Sequence, residues 1–183
     1  MGLEARVTVL DKSIPRLREL ELQYGTTLNT IYSTVGALEQ LIVKADLVIG
    51  AVLAPGAAAP KVVSREMIKM MPKGSVVVDV AIDQGGCFET SRPTSHDKPT
   101  YVEEDVIHYC VTNMPGAVPR TSTQGLSNAT LPFVVALADK GWKQACRDDK
   151  HLLEGLNIHD GHVTYEAVAR DLNLAYKPAA ETL

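Results

Sequence analysis

The stretch Ser75-Val-Val-Val-Asp-Val-Ala-Ile-Asp-Gln-Gly-Gly-Cys-Phe-Glu89 constrains the fold more than any other. Its valine-rich run, Val76 to Val80, has no polar/apolar alternation, which predicts a parallel strand buried on both faces. The carboxyl end of that strand delivers Asp83 just ahead of Gly85-Gly86. Ligands of open α/β sheets bind beyond the carboxyl ends of the strands, so an acid here faces a ligand crevice. The same acid before Gly-Gly is also ordinary turn chemistry, and the run alone does not choose between the two.

Similar runs recur along the chain. Arg6–Asp11, Leu28–Tyr32, Asp46–Leu53 and His108–Val111 read as further strands, with helical spacing over Lys12–Tyr24, Val35–Lys44 and Ser64–Met71 between them. That alternation predicts an α/β fold, a doubly wound parallel sheet. Ala54-Pro-Gly-Ala-Ala-Ala-Pro60 is small and Pro-rich, suited to backbone passing close to a flat ligand. Cys87–Thr100 is polar and predicts a surface loop. From about residue 121 the pattern changes: a long apolar helix containing Pro132 is kinked or started by it and stopped at Gly141, a second helix spans Lys143–Leu153, and a hairpin on Asp160-Gly161 and a helix over Glu166–Leu172 lead to a polar tail.

Asp11 closes the first of these strands. An acid there, about 20 residues after a glycine-rich turn, is the usual grip on the ribose hydroxyls of NAD. The acid is present and the turn is not, so the sequence predicts a missing upstream segment, with Met1 in the last turn of its helix. The competing reading makes Asp11 a cap for the helix that follows.

Composition narrows the class. The chain has 183 residues, 45% of them apolar, and a net charge of −4 without a long basic run, which argues against nucleic acid as a partner. No apolar stretch reaches the roughly 18 residues that span a bilayer. Three scattered cysteines fit reduced thiols and a cytoplasmic location, with Cys110 in the core and Cys87 nearest the crevice. The five histidines form no metal-binding pattern; His159 and His162 merely flank a turn, and His96 reads as solvated.

The run from Val78 to Glu89, together with Val111-Thr-Asn-Met-Pro-Gly-Ala-Val-Pro-Arg-Thr-Ser-Thr123, resembles the NAD-dependent alanine dehydrogenases. The resemblance covers the whole chain as the C-terminal half of such an enzyme. It implies a Rossmann-type sheet lacking its first strand and glycine-rich turn over residues 1–120, and over 121–183 a helical segment that packs on the substrate domain. It implies NAD as cofactor, L-alanine, pyruvate and ammonium as reactants, and a homo-oligomer, commonly a hexamer. The related transhydrogenases share the fold but lack an acid at the place of Asp83.

By the same resemblance Asp83 is catalytic, a carboxylate beside the reacting substrate nitrogen. Asp11, Arg16 and Ser33 would hold the adenosine end of NAD. Val52, Leu53, Val80, Ala81, Ile82 and Asp83 would line the dinucleotide, Arg92 would reach it from its loop, and Val111, Thr112, Asn113 and Met114 would flank the nicotinamide. The family's histidine acid/base and its substrate-binding lysine and arginine lie in an N-terminal domain that is missing here, so the chain alone is expected to be inactive. A transhydrogenase-type binding module, a free-standing non-enzymatic module and a nonfunctional remnant are the alternatives.

Overall fold

A computed structural model describes residues 2–183; the expectation placed on Met1 lies outside the described residues. Strand β1 (Val7–Asp11) leads into helix α1 (Ile14–Tyr24), whose N-terminus is capped by Ser13 Oγ accepting from Arg16 N. Pro15 fits the first turn, where its missing N–H costs nothing, and Gly25 at φ 55° ends the helix. Strand β2 (Leu28–Tyr32) then returns parallel to β1, in register from Val7 opposite Leu28 to Asp11 opposite Tyr32.

Helix α2 (Val35–Ile42), capped by Thr34, buries Ile42 and crosses to β3 (Leu47–Gly50). The β3 strand is shorter than expected, because after Gly50 the chain leaves the sheet as an extended, Pro-containing loop. Ser64 caps α3 (Arg65–Lys69), and β4 (Val76–Asp79) follows. A hairpin that the sequence did not reveal comes next: β5 (Thr100–Glu103) runs antiparallel to β6 (Val106–Tyr109). The four strands lie in the order β3-β4-β6-β5, with β3, β4 and β6 mutually parallel. The core around them is built from Ile42, Val63, Ile68, Val77, Phe88 and Val106. Phe88 and Thr90 are buried, so the segment expected to be a surface loop contributes its first residues to the core.

The parallel-dominated strands and intervening helices are those of a doubly wound α/β fold, yet hydrogen bonding divides them into two sheets, β1-β2 and β3-β4-β6-β5, and β1 and β3 do not pair with each other among the described residues.

Helix α4 (Pro119–Asp148) runs through Pro132 without leaving helical geometry there; its one non-helical residue is Gly141, at φ 72°, ψ 157°. Leu126, Leu131, Phe133 and Val134 on it are exposed, and only Ala145 and Cys146 beyond the break are buried. Helix α5 (Lys150–Glu154), the hairpin β7 (Ile158–His159) and β8 (His162–Val163), and α6 (Glu166–Asp171) complete the chain. The tail is not free: Lys177 N donates to Val163 O, and Thr182 is buried.

The same C-terminal region touches the Pro-rich loop. Ala58 N donates to Asp171 Oδ2 at 3.0 Å, and a Cβ on Gly56 would lie 2.2 Å from Tyr165 Cε1. The space that Gly56 leaves is filled by a tyrosine of the same chain.

Candidate active site

The carboxyl ends of parallel strands share one edge of their sheet, and the candidate residues gather there. Asp11 ends β1, Ser33 follows β2, Val52 and Leu53 follow β3, Val80–Asp83 follow β4, and Val111–Met114 follow β6.

Asp11 is half-buried. Its Oδ1 accepts from Ser13 N at 2.7 Å, and its backbone carbonyl accepts from Ser33 N at 3.0 Å. The cap of α1 is Ser13 and not Asp11, so the acid shapes the turn ahead of the helix while its second oxygen takes no bond within the chain among the described residues. Arg16 does not hold Asp11; its Nη1 pairs with Glu19 Oε2 at 2.9 Å on the exposed face of α1.

After β4 the chain winds into a 3-10 turn, Val80–Gln84, which Gly85 closes at φ 91°. Strand β4 thus stops at Asp79, one residue before the expected end. Ala81 and Ile82 face the core, Val80 is half exposed, and Asp83 is exposed with no hydrogen bond or ion pair among the described residues. The turn is gripped from both sides. Inside, Asp79 is fully buried and accepts from Ala81 N, Cys87 N, Phe88 N and Ser91 Oγ. Outside, Lys61 Nζ donates to Gly85 O and Gly86 O, and Ala59 N donates to Gln84 O. Neither Asp79 nor Lys61 was among the sequence candidates. An acid inside a strand buried on both faces was the available signal, since such a group demands donors.

Cys87 lies against Asp79, and burial together with that carboxylate pushes its thiol up to about 12. It is inert at neutral pH.

Arg92 is not freely solvated. Its guanidinium lies over the Tyr101 ring at 3.8 Å, and the Arg92 backbone N–H donates to Tyr101 Oη, which itself donates to Thr90 O. Tyr101 stacks on buried His108. With its Nδ1–H donated to Val106 O and Nε2 accepting from Thr90 Oγ1, His108 is neutral; burial holds its pKa below the ordinary histidine value. A hollow of about 350 Å³ is lined by Arg92, Ser95, Lys98 and Thr112. A larger one of about 590 Å³, between α1 and the faces of β1 and β2, contains none of the candidates and belongs to no reacting group.

Val111 is buried and Thr112 exposed. Asn113 opens the 3-10 turn Met114–Ala117 by accepting from Gly116 N with its amide oxygen, so only its NH₂ is free to meet a ligand. Its carbonyl is bound by His96 Nε2 at 2.7 Å, which gives a histidine expected to be solvated a part in shaping this loop.

Comparison with known proteins fits this architecture. Residues 1–166 match the family model described as alanine dehydrogenase/PNT, C-terminal domain. The alanine dehydrogenase of Halomonas elongata is 62% identical over the whole chain, and that of Mycolicibacterium smegmatis 55%. In both cases the chain covers 49% of the relative, so it spans about half the length of the curated relatives it matches. A solved L-alanine dehydrogenase superposes with a TM-score of 0.81 at 47% identity, over 94% of this chain and 47% of that one. A transhydrogenase from Sinorhizobium meliloti superposes at 0.64 with 23% identity over 91% of this chain and 44% of that one, a likeness of fold.

Proposed function

Since the chain belongs to the alanine dehydrogenase/PNT family, through that family's C-terminal domain, we propose that it forms the NAD-binding half of an L-alanine dehydrogenase. The reaction is the reversible conversion of L-alanine, NAD and water to pyruvate, ammonium and NADH. In this reading residues 1–120 form the nucleotide domain and 121–183 belong with the substrate domain, in a homo-oligomer.

The residues present fit a dinucleotide. The unengaged oxygen of Asp11 can accept from the adenosine ribose hydroxyls, and its charge repels a 2′-phosphate, which favours NAD over NADP. The NH₂ of Asn113 is the free donor at the other end of the crevice. Val80 and Leu53 offer exposed apolar surface between them. Bound NAD supplies the hydride acceptor.

The observation that carries the proposal is Asp83: an exposed carboxylate with no side-chain partner among the described residues, set on a turn gripped on both sides. Such a group stabilises the positive charge on a substrate nitrogen and shuttles its protons, with no internal ion pair to break first. A transhydrogenase-type module moves hydride between nucleotides and has no use for a carboxylate there.

The test is a chimera in which these 183 residues replace the matched half of the Halomonas elongata relative. It should form NADH from L-alanine, and Asp83→Ala should lower kcat by about 100-fold, within the range for loss of a proton-transferring group, with little change in KM for NAD. An unaltered kcat in that variant would remove Asp83 from the chemistry.

A further inference from the structure

The proposed chemistry uses Asp83 and leaves unexplained the buried carboxylate four residues before it. Asp79 is 0% exposed and forms no ion pair among the described residues. A buried carboxylate in that position must be satisfied entirely by hydrogen-bond donors. Its donors are Ala81 N at 3.1 Å and Cys87 Sγ at 3.5 Å on Oδ1, and Cys87 N at 2.9 Å, Phe88 N at 3.4 Å and Ser91 Oγ at 2.5 Å on Oδ2.

These donors fall on both sides of Asp83 in the chain. One precedes it and four follow, so the carboxylate ties the segment 80–91 into a closed loop with Asp83 on its outer arc. Gly86, at φ 77°, lets the backbone press against the tie: a Cβ there would sit 2.7 Å from Asp79 Oδ2. The side chain is therefore built into the loop and does not face solvent or the crevice.

We propose that Asp79 is the positioning residue for Asp83, a buried anionic hub that fixes where the catalytic carboxylate stands. The assignment rests on the deaminase reading of Asp83. It calls for a carboxylate in particular, because both oxygens accept. An amide of the same size offers one accepting oxygen, and its NH₂ must face either the Ala81 N–H or the Cys87, Phe88 and Ser91 donors.

The chimera described above supplies the test. Asp79→Asn and, as a milder lesion confined to one donor, Ser91→Ala are each made with Asp83 present and in the Asp83→Ala background. With Asp83 present, Asp79→Asn should lower kcat by about tenfold or more, as misplacement of a reacting group does, while KM for NAD changes by less than about twofold. In the Asp83→Ala background the same change should cost less than about twofold, because a residue acting through Asp83 has nothing left to position. Ser91→Ala should show a smaller loss, about threefold, that vanishes in the same way, and it decides the matter if Asp79→Asn fails to fold. Equal losses in both backgrounds, or no loss in either, would overturn the assignment, since a purely structural role is indifferent to Asp83. An unsubstituted chimera without alanine-dependent NADH formation refutes the deaminase reading and this assignment with it, and that outcome is seen before any substitution is made.

Discussion

Asp11 divides its two oxygens between architecture and the proposed ligand, and this makes cofactor choice testable at a single atom. One oxygen shapes the turn through Ser13 N–H, and the other is unengaged among the described residues. Asp11→Ala in the chimera should weaken NADH binding and reduce discrimination against NADPH by about 1–3 kcal/mol, as for loss of one charged hydrogen bond. Fluorescence titration with both nucleotides reads this directly, and an unchanged NADH/NADPH ratio would leave Asp11 a turn residue only. His108 gives the pH dependence. Its folded pKa lies below the ordinary 6.5, so the folded state binds fewer protons than the unfolded one as pH falls. The stability it lends is complete above about 6.5 and is lost as pH drops toward the folded value. The urea midpoint of the chimera should therefore fall between pH 7 and pH 5.5, and by less in His108→Phe; an identical slope in both would assign the effect elsewhere. At this scale the sequence is most informative where an acid ends a strand, as Asp11 and Asp83 do. It is silent on pairing partners: Arg16 has Asp11 and Glu19 both within plausible reach along the chain, and only the path of α1 gives it to Glu19. Asp79 and His108 escape a local reading because their meaning comes from donors that tertiary folding brings in.

The β4 strand and its following turn work as one element, and the two glycines that end it are not equivalent. Both have positive φ, Gly85 at 91° and Gly86 at 77°, yet a Cβ on Gly85 meets open space while one on Gly86 meets Asp79 Oδ2 and the Ser91 side chain at 2.7 and 2.9 Å. Gly85→Ala should cost about 1 kcal/mol of backbone strain. Gly86→Ala adds overpacking against a buried carboxylate and should cost about 3 kcal/mol, with loss of alanine-dependent turnover. Urea unfolding of the two variants separates them, and equal midpoints would mean that the loop relaxes away from Asp79. Elements of this kind are legible where turn chemistry is explicit. Asp160 and Gly161, at φ 47° and 75°, make the hairpin that an Asp-Gly pair announces. The β5–β6 hairpin uses the same left-handed pair of conformations at Glu104 and Asp105, φ 52° and 60°, residue types that carry no such signal. Long-range contacts hold them instead: Glu104 pairs with Arg65 at 2.7 Å, and Asp105 accepts from Gly74 N and pairs with Lys73. Pro132 misleads in the opposite direction. The carbonyl it leaves without an intrahelical partner, that of Asn128, belongs to an exposed face where water can satisfy it, so α4 continues to Gly141.

For the whole molecule, the decisive feature is that β1-β2 and β3-β4-β6-β5 are separate sheets. Strand β1 is paired only with β2 and β3 only with β4, so each presents one row of backbone donors and acceptors with no strand beside it among the described residues. On β3, Leu47 and Ile49 share one face of this edge strand and are open, 53% and 60% exposed. Helix α4 adds Leu126, Leu131, Phe133 and Val134. Unpaired, uncharged edges and large exposed apolar faces are templates for association. That the strands would be mostly parallel was readable from strand-helix alternation, but that β1 and β3 would be left without a hydrogen-bonded pairing between them was not. Sequence periodicity reports which residues are buried and says nothing about whether a neighbouring position in the sheet is filled. The purified 183-residue chain, with a monomer mass of 19.8 kDa, should therefore sediment as larger species at micromolar concentration and form no NADH from L-alanine. Ile49→Lys, which places a charge on the open edge, should shift the distribution toward monomer, as edge lysines do in natural sheets. In the chimera, where the proposed partner strand and domain are supplied, the unpaired edge should be covered and Ile49→Lys should instead reduce stability by burying an unpaired ammonium. A chain that sediments as a monomer, unfolds cooperatively and is unaffected by Ile49→Lys would show that the edge needs no covering, and turnover of L-alanine by that monomer would place the complete reacting set within these 183 residues.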